Sequence, residues 1–173
     1  RAQSILEYLA GQRDTMVEML VSLANIESPT DVAGSQAAMQ SQLSDALNEL
    51  GFRVRHLPGH ETGGHLFAVP EKRQRGEPMQ MLIGHSDTVW PIGTLKSMPV
   101  VAENGAVHGP GTFDMKAGLV QGIFALRALR DLGHQPPATP IWLINSDEET
   151  GSPESKRYVE LLAKHVARVF VLE

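Results

Sequence analysis

Short apolar runs alternate with stretches of helical spacing along this chain, and that alternation most limits the folds open to it. Runs at 52–57, 65–69, 79–84, 140–145 and 169–172 have the length and composition of β-strands. Around them, apolar residues recur at helical intervals. One set is Ile5, Leu6 and Leu9, a second is Met16, Val17, Leu20 and Val21, and a third is Met39, Leu43, Ala46, Leu47 and Leu50. The spacing predicts a further long helix over 115–132, with Leu119, Ile123, Leu126 and Leu129 on one stripe and Gly133 as its stop. Gly11 separates the first two helical pieces, and Gly51 closes the third. Ser152-Pro153 reads as the cap and first position of another helix running to about Lys164. The runs 99–102 and 106–108, on either side of Glu103-Asn104-Gly105, predict a small hairpin. Helices interleaved with short strands predict a layered α/β domain. A strand of such a domain is ordinarily followed by a covering element, so a chain that stops at Glu173 is expected to be part of a longer one.

Length and composition narrow the function classes. A chain of 173 residues can bury one sizeable core. Its net charge is −5 and its lysines and arginines are scattered, which leaves no basic face for nucleic acid. No apolar run approaches the roughly 18 residues of a membrane span. Cysteine is absent, so disulfides, iron–sulfur clusters and thiolate zinc sites are excluded. Any metal must be held by imidazole and carboxylate.

Three clusters of such residues fall at the C-terminal ends of predicted strands, the edge where open α/β sheets bind ligands. In Gly84-His85-Ser86-Asp87-Thr88-Val89, His85 and Asp87 are two residues apart and leave an extended chain on one face. Asp87 is thereby placed to hold the second ring nitrogen of His85, as a metal-binding histidine requires. Taken alone, the pair is also what a strand-end histidine and a turn aspartate look like. In His108-Gly109-Pro110-Gly111-Thr112-Phe113-Asp114, glycines permit a tight path and Asp114 lands just before a helix, where capping is its ordinary role. The spacing matches neither nucleotide-binding glycine motif, so a phosphate loop is set aside. In Asp147-Glu148-Glu149, three consecutive carboxylates repel one another unless cations hold them. The alternative is a solvated acidic loop complementing a helix dipole. Together the clusters fit Zn²⁺ with positions left open for water and substrate. Adjacent glutamates can divide the work, one binding metal and its neighbour taking a proton from water.

In order and spacing, His85-Ser86-Asp87-Thr88-Val89, Gly109-Pro110-Gly111-Thr112-Phe113-Asp114-Met115-Lys116-Ala117-Gly118 and Asp147-Glu148-Glu149-Thr150-Gly151-Ser152 resemble a known family. It is the zinc-dependent exopeptidase family of glutamate carboxypeptidase, aminoacylase, acetylornithine deacetylase and succinyl-diaminopimelate desuccinylase. The continuation Trp90-Pro91-Ile92-Gly93-Thr94 is most similar to the glutamate carboxypeptidase branch. The resemblance runs from the helix before Ser28-Pro29 to Glu173.

The resemblance implies a three-layer α/β/α sandwich around a mixed, mostly parallel sheet. It implies two Zn²⁺ ions, although Co²⁺ or Mn²⁺ suit the same ligands. By it, His85 binds one zinc, Asp114 bridges both, Glu149 binds the second and Glu173 completes the first. Glu148 is the general base and acid, Asp87 orients His85, and the Asp114–Met115 peptide is cis. The implied activity is hydrolysis of an amide bond, foremost by a carboxypeptidase that releases a C-terminal amino acid such as glutamate from a small peptide. An N-acyl-amino-acid deacylase is the alternative. A non-catalytic metal-binding homologue is a third reading, and the intact Glu148-Glu149 pair argues against it. The family's second imidazole ligand and its dimerisation or lid domain have no counterpart in these residues. Residues 1–173 are therefore expected to be the N-terminal part of the catalytic domain, inactive alone, with a homodimer formed through the absent domain. No nucleic-acid or membrane partner is expected.

The other candidates are read as structural. His56, His60, His65, His134 and His165 have no carboxylate at ligand spacing. His108 reads as a strand-end residue. Lys116 either reaches a carboxylate or substrate or is a solvated helix-start lysine. Trp90 lines a cleft or packs in its loop, and Arg127 and Arg130 fall on the wet face of their helix.

Overall fold

A computed structural model of the chain describes residues 2–73 and 76–173. Its helices are α1 (Ala2–Gly11), α2 (Arg13–Ala24), α3 (Gln36–Glu49), α4 (Ala117–Asp131) and α5 (Lys156–Ala163). Its strands are β1 (Phe52–Leu57), β2 (His65–Pro70), β3 (Met79–His85), β4 (Val101–Glu103), β5 (Ala106–His108), β6 (Thr139–Asn145) and β7 (Arg168–Val171).

Five strands form one sheet in the order β1-β2-β6-β3-β7, and β4 and β5 form the expected hairpin apart from it. The pairs β1–β2 and β2–β6 are antiparallel, whereas β6–β3 and β3–β7 are parallel. The sheet is mixed, and β2 is the strand that runs against the other four.

The period of two along β6 explains the layers. Trp142 and Ile144 point into a core with Leu23 of α2, Met39, Leu43 and Leu47 of α3, and Leu119, Ile123 and Phe124 of α4. Ile141 and Leu143 point the other way and, with Met81, meet Tyr158, Val159 and Leu162 of α5. Every residue of β6 is buried, as a strand covered on both faces must be. Each fully buried Leu, Ile or Phe contributes about 1.5–3 kcal/mol, an upper estimate. The result is a three-layer α/β/α sandwich.

Helix α4 carries the chain from β3 to its parallel neighbour β6 across one face, and α5 carries it back past β3 to β7 across the other. The connections leaving the adjacent strands β3 and β6 thus run in opposite directions, and a crevice opens beyond the C-terminal ends of strands at such a point. All three sequence clusters and Glu173 lie at that edge.

The last helix differs from the sequence expectation. It begins at Lys156 rather than at Ser152-Pro153. Ser152 has φ 58°, a left-handed conformation that no N-cap adopts. The free N–H groups of Glu154 and Ser155 are taken instead by Asp147 Oδ2, each at 2.8 Å. No helix among the described residues is long and apolar enough to cross a membrane.

Candidate metal centre

His85 is the last residue of β3 and is 1% exposed. Its backbone N–H donates to Met115 Sδ at 3.0 Å, which ties the strand end to the Asp114 loop. Ring atom Nδ1 lies 2.9 Å from the carbonyl oxygen of Asp87 and 3.4 Å from its Oδ1. That leaves Nε2 facing outward, 3.0 Å from Asp114 Oδ1 and 3.8 Å from Glu148 Oε2.

Asp114 is brought there by a sharply shaped loop. Gly111 sits at φ 67°, and a Cβ on it would come within 2.6 Å of Thr88 Cγ2, so glycine lets this loop press on the one after β3. The Asp114–Met115 peptide is cis, as the resemblance implied. Asp114 does not cap the helix: its carboxylate, half exposed, turns toward His85.

The three consecutive carboxylates after β6 separate. Asp147 points inward and is fully buried, bonded to the backbone ahead of α5. Glu148 and Glu149 enter a short 3₁₀ turn and face the crevice. Two sets of donor atoms then lie within 4.8 Å of one another, His85 with Asp114 and Glu149, and His85 with Glu148 and Glu173. The folded chain thus unites all four proposed ligands and the proposed base around one imidazole. It groups Glu149 with His85 and Asp114, and Glu173 with Glu148. Asp87 lies behind His85 and does not face the crevice.

Electrostatics follow from this crowding. Burial works against a charged His85, but Asp87 and Glu148 outweigh it and raise the imidazole to about 9. Burial pushes Asp87 up, and the bonds from His85 and Thr30 more than reverse it, so the carboxylate lies below its ordinary range. Glu148 is raised by burial, and the nearby charges of Glu173, Asp87 and Asp114 add to that. Glu149 is likewise raised by burial and by Asp114.

A divalent cation fits this donor set. One imidazole nitrogen and several carboxylate oxygens converge from three strand ends and one loop, with no thiolate among them. The positive group that acts on these carboxylates is His85 itself, where a metal would take the place of its proton.

The description "Peptidase family M20/M25/M40" matches residues 81–173, which hold every one of these groups. The chain belongs to this family. M20/M25/M40 is by its description a peptidase family. Over 95% of its length it is 30% identical to carboxypeptidase G2 of Pseudomonas sp. (strain RS-16), of which it spans 40%. It is also 30% identical over 89% of its length to succinyl-diaminopimelate desuccinylase of Alkalilimnicola ehrlichii, of which it spans 41%. Human carnosine dipeptidase 1 shares the fold with a TM-score of 0.84 at 20% identity, over 99% of this chain and 41% of that one. An M20 family metallo-carboxypeptidase from Sulfolobus solfataricus superimposes with a TM-score of 0.67 at 17% identity, over 90% of this chain and 36% of that one. The chain thus spans about two fifths of the length of the relatives it matches in sequence.

Some residues around the M20 site were not visible in the sequence. Lys116 is neither solvated nor at a carboxylate. It is 1% exposed, donates to the Ile26 carbonyl at 2.8 Å, and burial lowers it to about 8 against the pull of Glu27. Ser28, Thr30 and Gln36 are buried against the loop after β3, and their contribution from a distant segment had no local signal. His65 is buried and takes the Ser146 N–H on Nδ1, and His56 bonds the Gly63 carbonyl, so both are structural. Arg127 is half-buried and Arg130 is exposed, as a wet-face residue should be, and both reach from α4 to Glu49 of α3.

Proposed function

We propose that this chain forms the zinc-holding part of an amide hydrolase, in which His85, Asp114, Glu149 and Glu173 would hold two Zn²⁺ ions. The observation that carries this reading is that His85 belongs to two acidic groups at once, Asp114 with Glu149 and Glu148 with Glu173. Zinc, when bound, supplies a Lewis acid that polarises a carbonyl and makes water acidic near neutral pH.

The chain's own residues then have distinct tasks. Asp87 holds His85 by its inner ring nitrogen, so that the outer one is free for metal. Glu148 stands over the crevice with its carboxyl raised by burial, which suits a group that must both accept and return a proton. It takes a proton from the attacking water and delivers it to the leaving nitrogen, while oxygen from water joins the carbonyl carbon and the carbon–nitrogen bond breaks.

The substrate is proposed to be a small peptide, cut by a carboxypeptidase that releases a C-terminal residue such as glutamate, in line with the similarity to carboxypeptidase G2. Similarity to several succinyl-diaminopimelate desuccinylases favours an N-acyl-amino-acid deacylase as the second reading. In this proposal residues 1–173 correspond to the N-terminal part of the catalytic domain. Recognition of the substrate carboxylate, a second imidazole and the contacts of a homodimer belong to the length that the relatives have beyond this chain.

The test is Glu148→Ala in the intact enzyme. It is expected to lower kcat by about 10²–10⁴-fold, with zinc content by elemental analysis nearly unchanged. Near-normal turnover would remove Glu148 from its role. Hydrolysis of a peptide with a C-terminal glutamate, set against an N-succinyl amino acid, decides between the two substrate readings.

A further inference from the structure

The segment 27–36 supplies none of the proposed ligands, yet three of its polar side chains are shut away from water. Ser28 and Gln36 are 0% exposed and Thr30 is 7% exposed. Hydroxyl and amide groups are costly to bury unless each is bonded, and all three are. Ser28 donates to the Ser86 carbonyl at 2.8 Å. Gln36 donates to the Ser28 carbonyl at 2.9 Å and accepts from the Ser86 hydroxyl at 2.9 Å. Thr30 goes further, because its hydroxyl donates to Asp87 Oδ2 at 2.7 Å.

That carboxylate is a hub. Its side chain is fully buried, and it also receives the backbone N–H of Glu148 at 3.3 Å and of Glu149 at 3.2 Å. His85 Nδ1 lies 3.4 Å from it. One group therefore joins the imidazole of β3 to the turn that carries the two glutamates after β6. The backbone bonds and the imidazole contact are long, and the Thr30 bond is the short one. Its donor is also β-branched and stiff at χ1, so it fixes a direction.

We propose that Thr30 is a positioning residue which, through Asp87, sets together the orientation of His85 and the placement of the Glu148–Glu149 backbone. What this means for zinc rests on the metal-site reading above, whereas the backbone placement does not.

The experiment uses Thr30→Val, which keeps the shape and removes the hydroxyl, and Thr30→Ser, which keeps the hydroxyl. Two quantities are read: zinc affinity by competition with a chromophoric chelator, and hydrogen exchange at the Glu148 and Glu149 amides in the metal-free protein. Thr30→Val is expected to weaken zinc about tenfold, as loss of an outer partner does. It is also expected to speed exchange at both amides about five- to tenfold, on the scale of one hydrogen bond. Thr30→Ser should restore both. Wild-type affinity and exchange in Thr30→Val would overturn the proposal, and so would a Thr30→Ser that behaves like valine. Ser28→Ala is the control: it removes a neighbouring buried hydroxyl that does not touch Asp87, and equal exchange effects there would reduce Thr30 to packing. If the valine variant does not fold, Thr30→Ala takes its place. A wild-type protein that binds no zinc but shows the exchange pattern would sink the metal reading and leave the positioning role standing.

Discussion

Asp147 and Glu148 are neighbours in sequence and opposites in circumstance. Asp147 is fully buried and accepts from two backbone N–H groups. Glu148 meets acidic neighbours and holds its carboxyl raised. One residue of backbone geometry separates a structural role from a chemical one. The same sensitivity holds at Gly118 of α4. A Cβ there would overlap the Leu172 carbonyl oxygen and approach Met115 Cε at 3.0 Å. Alanine is among the best helix formers, so Gly118→Ala would stabilise an isolated helix. Here it must push α4 away from the residue that leads into Glu173. Overpacking of this kind costs about 1–3 kcal/mol. Gly118→Ala is expected to lower the melting temperature by several degrees and to weaken zinc retention, since Glu173 moves with Leu172. A melting curve identical to wild type would show that the close contact is relieved without cost.

Between elements, the loop joining β1 to β2 is held by a residue far along the chain. Glu154, at the approach to α5, accepts from the backbone N–H of Glu61 at 2.7 Å and of His60 at 2.9 Å, and from the Thr62 hydroxyl at 2.9 Å. Partial burial pushes this carboxyl up, but the three donors outweigh it and hold it at about 2, against an ordinary 4.5. A folded-state pKa below the unfolded one stabilises at pH above the unfolded value, and the gain is lost as pH falls toward the folded one. Glu154→Gln should therefore melt below wild type at pH 7, and the gap should close between about pH 5 and about 2. A gap that stays constant across that range would mean the charge does no holding. Neither this clamp nor the true start of α5 could be read from local pattern. Serine before proline looks like a cap, whereas the acceptor that serves is Asp147, seven residues before Glu154. The strands were legible because the unbroken apolar runs of β6 and β3 have one physical meaning, a sheet covered on both faces. The residues proposed as ligands could be picked out because acidic and imidazole side chains cluster after β3, after β6 and in the loop before α4. Thr30 and Lys116 were not, because their partners lie 57 and 90 residues away along the chain.

At the scale of the whole molecule, the crevice gathers carboxylates from β6, β7 and the loop before α4 around a single imidazole, so the fold carries concentrated like charge at one edge. His85 is the positive group that acts against that repulsion at Glu148 and Glu149. A divalent ion that binds the folded chain and not the unfolded one must shift the folding equilibrium. At a free concentration a hundred times its dissociation constant the gain is about 2.7 kcal/mol, which for a chain of this length corresponds to roughly 5–10 °C in melting temperature. Zinc is expected to produce that rise and a chelator to reverse it. Magnesium at the same concentration should produce far less, because it sheds water reluctantly and gains little from an imidazole. The comparison separates a site from a field: a diffuse acidic surface would respond to either ion through screening, and to added monovalent salt as well. If magnesium or sodium chloride matched zinc, the convergence of His85 with its two acidic groups would be mere surface charge. Only a rise confined to a metal that takes nitrogen ligands identifies the imidazole as the group that selects it.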